Sequence, residues 1–264
     1  GGIPAVIAEL LEAGLLDERA LTVSGRTVGE NCRGRFTSDR DVIRAVKAPI
    51  KENAGFLVMS GNLFDAAIMK TSVIGEEFTK RYLGRGGVFE GRAIVFDGPE
   101  DYHHRINDAS LNIDEHCILV MRNTGPVGYP GSAEVVNMQP PDALLKRGIT
   151  ALPCIGDGRQ SGTSASASIL NASPEAVIGG GLAFLETGDM IRIDLKARRV
   201  DALVATEEWE RRQKAWVAPA LKSQTPWEEV ARANTGQLST GGCFEPATLY
   251  LDIIRTRGEA RDSH

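Results

Sequence analysis

The sequence lacks long apolar runs, an excess of basic residues and closely spaced cysteines. No apolar stretch approaches the roughly 20 residues that a helix needs to cross a bilayer, which argues against a membrane span. Lysine and arginine number 30 against 35 acidic residues, and the formal charge of −5 argues against a general nucleic-acid binder. The 264 residues, 42% of them hydrophobic and 25% charged, predict a stable globular protein with a buried core.

The cysteines also lack the short spacing of a zinc ribbon or a redox dithiol. They lie tens of residues apart, at Cys32, Cys117, Cys154 and Cys243. We expect reduced thiols that serve as buried packing residues in a cytoplasmic protein, although sequence alone leaves disulfides open.

The chain begins without an initiator methionine and without a secretory signal. Its opening, GGIPAVIAELLEAGLL, is amphipathic and interrupted by Pro4 and Gly14. Its apolar residues recur at helical spacing and predict a short helix over residues 3–16; they are Ile3, Val6, Ile7, Leu10 and Leu11. We expect the chain to begin within a longer protein, with a domain boundary in the charge-rich stretch at residues 33–55.

From residue 56 the chain is a series of short apolar segments bounded by glycine and proline, which predicts the strands of a buried sheet or closed barrel. These segments are FLVMS, AIMKTSVI, RAIVFDG, CILVMRN and ALPCIG. The alternating stretch MIRIDLKARRVDALVA predicts a β-hairpin. Helices are predicted in PPDALLKRG, after Ser173 as N-cap, after Thr206 as cap, and after Thr225, which forms a capping box with Glu228.

One stretch, CIGDGRQSGTSASAS at residues 154–168, concentrates glycine and hydroxyl side chains after an apolar segment. Glycines let backbone N–H groups approach an anion closely. The stretch lacks the lysine of a P-loop, and Ser161 does not stand in a nucleophile elbow. From the pattern alone it is a solvated loop, an anion-binding loop or the place of a catalytic serine.

The other candidate groups carry weaker signals. Glu134 is a single carboxylate in the Gly- and Pro-rich run RNTGPVGYPGSAEVVNMQPP, and one carboxylate does not make a metal site. His103 and His104 lie in a polar segment and are expected at the surface. Lys70 stands in an otherwise apolar segment, either paired in the core or directed into a polar site, and His264 ends the chain.

Five segments in succession carry a resemblance to a known family. They are GGIPAVIAELLEAGLL, SGNLFDAAIMKTSVI, FEGRAIVFDGPED, RNTGPVGYPGSAEVVNMQPP and CIGDGRQSGTSASASILNASPEA. Together they resemble the C-terminal part of the dihydroxy-acid and sugar-acid dehydratases over essentially the whole chain. The segments SGNLFDAAIMKTSVI, GPEDYHH and EARDSH are most similar to the pentonate branch, typified by L-arabinonate dehydratase. The branched-chain amino-acid branch tends to carry a Gly-Gly-Pro-Gly-Met motif where GYPGSAE stands here.

The resemblance implies a hydro-lyase that converts a sugar acid, here a pentonate, to its 2-keto-3-deoxy acid. In this family Mg²⁺ stabilises the enediolate and an open iron of a [2Fe-2S] cluster draws off the 3-hydroxyl. Ser161 corresponds to the family's base, with Thr163 beside it, and Glu134 to a Mg²⁺ ligand. Thr163 and His264 correspond to substrate contacts, and Arg159 to a residue that supports the loop or binds the substrate carboxylate. A serine hydroxyl needs nearby positive charge to act as a base.

The resemblance also implies that part of the enzyme lies outside this chain. The cluster cysteines and the other Mg²⁺ ligands belong to an N-terminal domain, so we expect no iron–sulfur ligand here and no activity from the chain alone. The implied fold is α+β. A β-barrel-like swivelling domain flanked by helices occupies residues 49–264. Residues 1–48 form the tail of a mostly missing N-terminal α/β domain.

The expected partners are a small-molecule sugar acid, the missing N-terminal domain and, in the complete enzyme, further copies of the chain. Neither nucleic acid nor a membrane is expected as a partner. Two alternatives are left open: a dihydroxy-acid dehydratase of branched-chain amino-acid synthesis, and a non-catalytic fragment that binds a sugar acid or a partner subunit.

Overall fold

The computed structural model describes residues 1–50, 52, 55–72, 74–76, 80, 86–132, 138–159 and 167–258, with backbone only at residues 248, 251 and 254. The chain divides into two compact units, Gly1–Ala54 and Gly55–His264. That the first of these is the tail of a larger domain stays a prediction.

The described part of the first unit contains two helices, α1 (Gly2–Glu12) and α2 (Val28–Cys32). Helix α2 begins with a capping box, because Thr27 and Glu30 each accept a hydrogen bond from the other's backbone N–H. The predicted helix over residues 3–16 is confirmed, although it ends earlier. Its buried face is Ala5, Ala8 and Leu11, whereas Ile3 is 74% and Val6 42% exposed.

The described part of the second unit contains a single eight-stranded sheet with the order β1-β2-β6-β5-β4-β3-β7-β8. The strands are β1 (Phe56–Met59), β2 (Ala66–Lys70), β3 (Val88–Asp97), β4 (Cys117–Arg122), β5 (Cys154–Gly156), β6 (Ser168–Ser173), β7 (Met190–Asp194) and β8 (Arg199–Ala202). The pairs among β3, β4, β5 and β6 are parallel, and β1, β2, β7 and β8 pair in antiparallel fashion. The predicted β7–β8 hairpin and the predicted strands are confirmed.

The two edges of the sheet meet beyond the end of β1, which makes the sheet a nearly closed barrel. Ser60 donates its backbone N–H to Arg198 O at 3.0 Å and accepts from Val200 N at 2.9 Å. The neighbouring position must be glycine, because a Cβ on Gly61 would lie 1.8 Å from Val200 O. The expected barrel-like domain with helices is therefore observed at the level of architecture.

Gly61→Ala is expected to open this contact between the barrel edges and to lower the free energy of unfolding by about 2–3 kcal/mol, because backbone must move to admit the methyl group. Urea unfolding followed by circular dichroism measures the effect. Gly75→Ala is the matched control, since a Cβ there meets no atom within 4 Å among the described residues, and it should stay within about 0.5 kcal/mol of wild type. Equal stability of the two variants would contradict the prediction.

The described helices of the second unit connect the strands or follow them. They are α3 (Pro99–Arg105), α4 (Asp142–Leu145), α5 (Thr206–Ala215), α6 (Pro226–Asn234) and α7 (Glu245–Arg257). Thr225 is confirmed as the N-cap of α6, although Glu228 accepts from Gln224 N rather than from Thr225 N. Thr206 is the first residue of α5, and Ala205 is its N-cap.

The predicted helix after Ser173 is wrong. Ser173 is the last residue of β6 and pairs with Ala66 of β2, so strand pairing overrides the local capping signal. Two short 3-10 helices follow instead, Ala176–Ile178 and Gly181–Phe184.

The core lies inside the barrel, and strand β4 in the middle of the sheet is almost entirely apolar. Strand β4 is buried from Cys117 to Met121, as expected for a parallel strand covered on both faces. All four cysteines are free; Cys32, Cys117 and Cys154 are buried as expected, whereas Cys243 is exposed. Burial raises the pKa of the Cys154 thiol to about 12, which makes it an inert packing group.

Among the described residues, no helix has both the length and the apolar character that a membrane crossing requires.

Candidate active site

The candidate site lies where the four parallel strands β3 to β6 end. Ligand sites in open parallel sheets form at the carboxyl ends of the strands, because the loops that leave them converge there. At this edge Asp97 accepts hydrogen bonds from Arg122 Nε at 2.6 Å and from Asn123 Nδ2 at 3.1 Å. The two Gly-rich runs singled out in the sequence leave β4 and β5, which are neighbours.

Asp157, the first residue after β5, joins the loops at this edge. Its carboxylate is fully buried and accepts hydrogen bonds from Asn123 N at 3.0 Å and from Ala176 N at 2.9 Å. It also accepts from Thr124 N at 2.9 Å and Thr124 Oγ1 at 3.0 Å. One side chain thus fixes the start of the loop after β4, the start of the loop after β5 and the turn after β6.

Glu175, two residues after β6, is a second buried carboxylate. It accepts from Gly128 N at 2.8 Å, from Val127 N at 3.0 Å and from Gln237 Nε2 at 2.7 Å. The loop passes so close that a Cβ on Gly125 would lie 2.5 Å from Glu175 Oε2. The two carboxylates therefore hold the backbone of residues 123–128.

Burial raises the pKa of both carboxyl groups above their ordinary values, and the hydrogen bonds that they accept oppose this shift. The Asp157 charge also raises the pKa of Glu175. In each hydrogen bond named above, the group that faces the carboxylate is an N–H or O–H donor. Such surroundings suit the charged form of a carboxylate, which only accepts hydrogen bonds.

A cavity of about 220 Å³ opens beside the loop that follows β4. Its walls come from three parts of the chain: the loop after β4, the start of the loop after β5, and the helices that follow the barrel. The lining residues are Thr124, Gly125, Pro126, Tyr129, Pro130, Gly131, Ser132, Arg159, Ala231, Thr235, Leu238 and Gly242. The guanidinium of Arg159 donates a hydrogen bond to Ser132 O and so connects the two loops across the cavity.

Of the site residues predicted from sequence, Arg159 is described and lines this cavity. Ser161, Thr163, Glu134 and His264 lie outside the described residues. In the sequence Ser161 and Thr163 stand two and four positions after Arg159, and Glu134 stands two positions after Ser132. Both Arg159 and Ser132 line this cavity.

The weaker candidates do not join this site. His103 and His104 are exposed on α3, as expected. Lys70 is partly buried, with its ammonium group 5.9 Å from the centre of the Phe56 ring.

Within the part of the chain that the structure describes, no three histidine, cysteine, aspartate or glutamate side chains come together as a metal site. All four cysteines lie within that part and are free. Neither an iron–sulfur cluster nor a complete Mg²⁺ site fits the described residues of this chain.

Sequence reasoning missed the two buried carboxylates. Asp157 carried a signal, because a charged residue directly follows the buried segment CIG within the quoted motif. Glu175 carried none, because its partners Val127 and Gln237 lie 48 and 62 positions away along the chain.

The chain belongs to a dehydratase family. A family model described as dihydroxy-acid/6-phosphogluconate dehydratase C-terminal matches residues 41–242, and the resemblance seen in the sequence is thereby confirmed.

Particular relatives refine this assignment. The chain is 60% identical over 256 residues to the D-xylonate dehydratase of Caulobacter vibrioides, covering 96% of this chain and 43% of that protein. It is 42% identical over 265 residues to the L-arabinonate dehydratase of Rhizobium leguminosarum bv. trifolii, covering 100% of this chain and 44% of that protein. The dihydroxy-acid dehydratase of Clostridium beijerinckii is 40% identical over 218 residues, 82% of this chain and 37% of that protein. The chain thus spans less than half the length of these relatives and is more similar to the pentonate dehydratases.

Proposed function

We propose that this chain is the C-terminal part of a sugar-acid dehydratase that converts a pentonate to its 2-keto-3-deoxy acid. The observation that carries the proposal is the 60% identity to a D-xylonate dehydratase over 96% of the chain, against 40% identity to a dihydroxy-acid dehydratase over 82%. This difference favours the sugar acid over the branched-chain substrate. Because the chain spans 43% of the D-xylonate dehydratase, we propose that activity requires the remaining part.

The reaction removes one molecule of water. A base takes the proton from C2, and the hydroxyl leaves from C3 with a proton as water. The resulting enol becomes the 2-keto acid by taking a proton at C3 and giving up the proton of its C2 hydroxyl. In the family that the sequence resembles, Mg²⁺ and a [2Fe-2S] cluster supply the Lewis-acid chemistry. The described residues bring together no three histidine, cysteine, aspartate or glutamate side chains that could hold either group.

The work that we assign to this chain is proton transfer and binding. Ser161 takes the C2 proton, and Thr163 orients it by a hydrogen bond. Arg159 and His264 contact the substrate, and Glu134 serves as a cation ligand. The position of Arg159 on the cavity wall supports this assignment, since a guanidinium pairs well with the carboxylate of a sugar acid.

A substrate panel tests the proposal on the complete gene product. We expect D-xylonate and L-arabinonate to be dehydrated with a kcat/KM at least about tenfold above that for 2,3-dihydroxyisovalerate, because a site that hydrogen-bonds the hydroxyl groups of its substrate rejects an analogue that lacks them. Formation of the 2-keto acid is measured for each substrate, with D-gluconate as a six-carbon comparison. Fastest turnover of 2,3-dihydroxyisovalerate would refute the sugar-acid assignment, and binding of sugar acids without turnover would favour a non-catalytic protein.

A further inference from the structure

Two successive residues of the loop after β4 have both their backbone N–H and their backbone carbonyl groups bound by charged side chains. The N–H groups of Val127 and Gly128 donate to the Glu175 carboxylate, and their carbonyl oxygens accept from the guanidinium of Arg232. These residues belong to no strand or helix, so their backbone groups need partners from elsewhere. Here the partners are side chains from distant parts of the chain.

Arg232 comes from α6, in the C-terminal segment, which we define as residues 222–244. Its side chain is 10% exposed, and besides the two loop carbonyls it donates to Lys222 O at 3.3 Å and to Ser223 Oγ at 3.0 Å. Its Nε is buried without a hydrogen-bond partner among the described residues. Such burial costs free energy, so the contacts that the guanidinium makes with the loop must offset a real penalty.

The same segment also reaches the loop through Gln237. Gln237 Nε2 donates to Glu175 Oε1 at 2.7 Å, and Gln237 Oε1 accepts from Glu175 N at 2.9 Å. This reciprocal pair fixes the orientation of the carboxylate that holds Val127 and Gly128. The C-terminal segment therefore controls both the N–H side and the carbonyl side of the loop.

The residues next to these two side chains line the cavity. Ala231 precedes Arg232 and Leu238 follows Gln237, and both face the loop residues from Thr124 to Ser132 across the cavity. A shift of the C-terminal segment would change both the loop and the opposite wall.

We propose that Arg232 and Gln237 are positioning residues that fix the loop Thr124–Ser132 against the C-terminal segment and thereby set the shape of the cavity that receives the carbon chain of the acid. The cavity's role rests on the proposed function, whereas the fixing of the loop does not. In a positioning role Arg232 takes no part in the reaction. It must reach several backbone and side-chain acceptors at once, and the fork of donors on a guanidinium allows this whereas the single ammonium group of lysine does not.

Hydrogen exchange of the 264-residue chain tests the fixing of the loop. In Arg232→Ala and Arg232→Lys the amides of Val127 and Gly128 should exchange at least about tenfold faster than in wild type, because the loop opens locally. The matched control is Arg212→Lys: Arg212 is 12% exposed, lies on α5, and binds Asp189 and Phe184 O rather than the loop. It should lower the melting temperature to a similar extent without changing exchange in residues 124–132.

Kinetics of the complete enzyme test the consequence for the cavity. Arg232→Lys and Gln237→Leu should raise KM for the pentonate about tenfold with a smaller change in kcat, and Arg212→Lys should leave both at wild-type values. Gln237→Leu should likewise speed exchange of the Val127 and Gly128 amides. Unchanged loop exchange in the Arg232 and Gln237 variants overturns the inference, whether or not the enzyme is active. A wild-type enzyme that dehydrates no sugar acid contradicts the proposed function instead, while faster exchange in the variants would still support fixing of the loop.

Discussion

Ser161→Ala is expected to lower kcat of the complete enzyme for its pentonate by about 10²- to 10⁴-fold, the contribution that a positioned general base makes. The resemblance assigns the base to this one hydroxyl of the run CIGDGRQSGTSASAS, which contains four serines and a threonine. An alanine at position 161 retains the backbone and removes the oxygen that we propose takes the C2 proton. Turnover should fall while KM changes little, because the lost interaction belongs to the transition state.

The same run supplies a matched control for this experiment. Ser164→Ala removes a hydroxyl three positions further along and should leave kcat within about threefold of wild type, as expected for a residue outside the chemistry. Steady-state assays of 2-keto acid formation compare the two variants on the same protein preparation. If Ser161→Ala retains about a tenth or more of the wild-type kcat, Ser161 is not the base, because the loss is then smaller than the contribution of a general base.

The strands of the barrel could be predicted because a strand that is buried on both faces has a short, continuous run of apolar residues in its sequence. CILVMR of β4 is buried along nearly its whole length, and it can be recognised without any knowledge of its neighbours. The order of the strands could not be predicted, since the pairing of β2 with β6 joins residues about a hundred positions apart. The same pairing explains the wrong helix after Ser173, where a local cap signal competes with a strand contact.

The candidate site divides in the same way. The run CIGDGRQSGTSASAS, which contains Asp157 and Arg159, stands out by its composition, and Arg159 lies on the wall of a cavity in the structure. Arg232 contacts Val127 O across 105 positions of sequence, and no periodicity or motif connects the two. Side chains that hold a loop from a distance leave no local signal, so they are found only when the fold brings them together.

Asp157→Asn is expected to lower the free energy of unfolding by about 3 kcal/mol. The carboxylate accepts four hydrogen bonds from donors, two on each oxygen: Thr124 N and Oγ1 on Oδ1, and Asn123 N and Ala176 N on Oδ2. An asparagine amide can replace one oxygen. Its NH₂ group would face two N–H donors in the place of Oδ2, or the Thr124 N–H and a hydroxyl that can turn to accept in the place of Oδ1. The variant therefore leaves buried donors unsatisfied, at about 1–3 kcal/mol for each group.

Asp97→Asn distinguishes this buried role from the general effect of removing a carboxylate at the same edge. Asp97 is paired with Arg122 but is 56% exposed, so its replacement should cost less than about 1 kcal/mol. Urea unfolding of both variants measures the difference. Because Asp157 fixes the starts of both loops that border the cavity, its variant should also lower kcat/KM of the complete enzyme, by up to about 100-fold. An Asp157→Asn protein as stable as Asp97→Asn would show that the two loops are held together by other contacts.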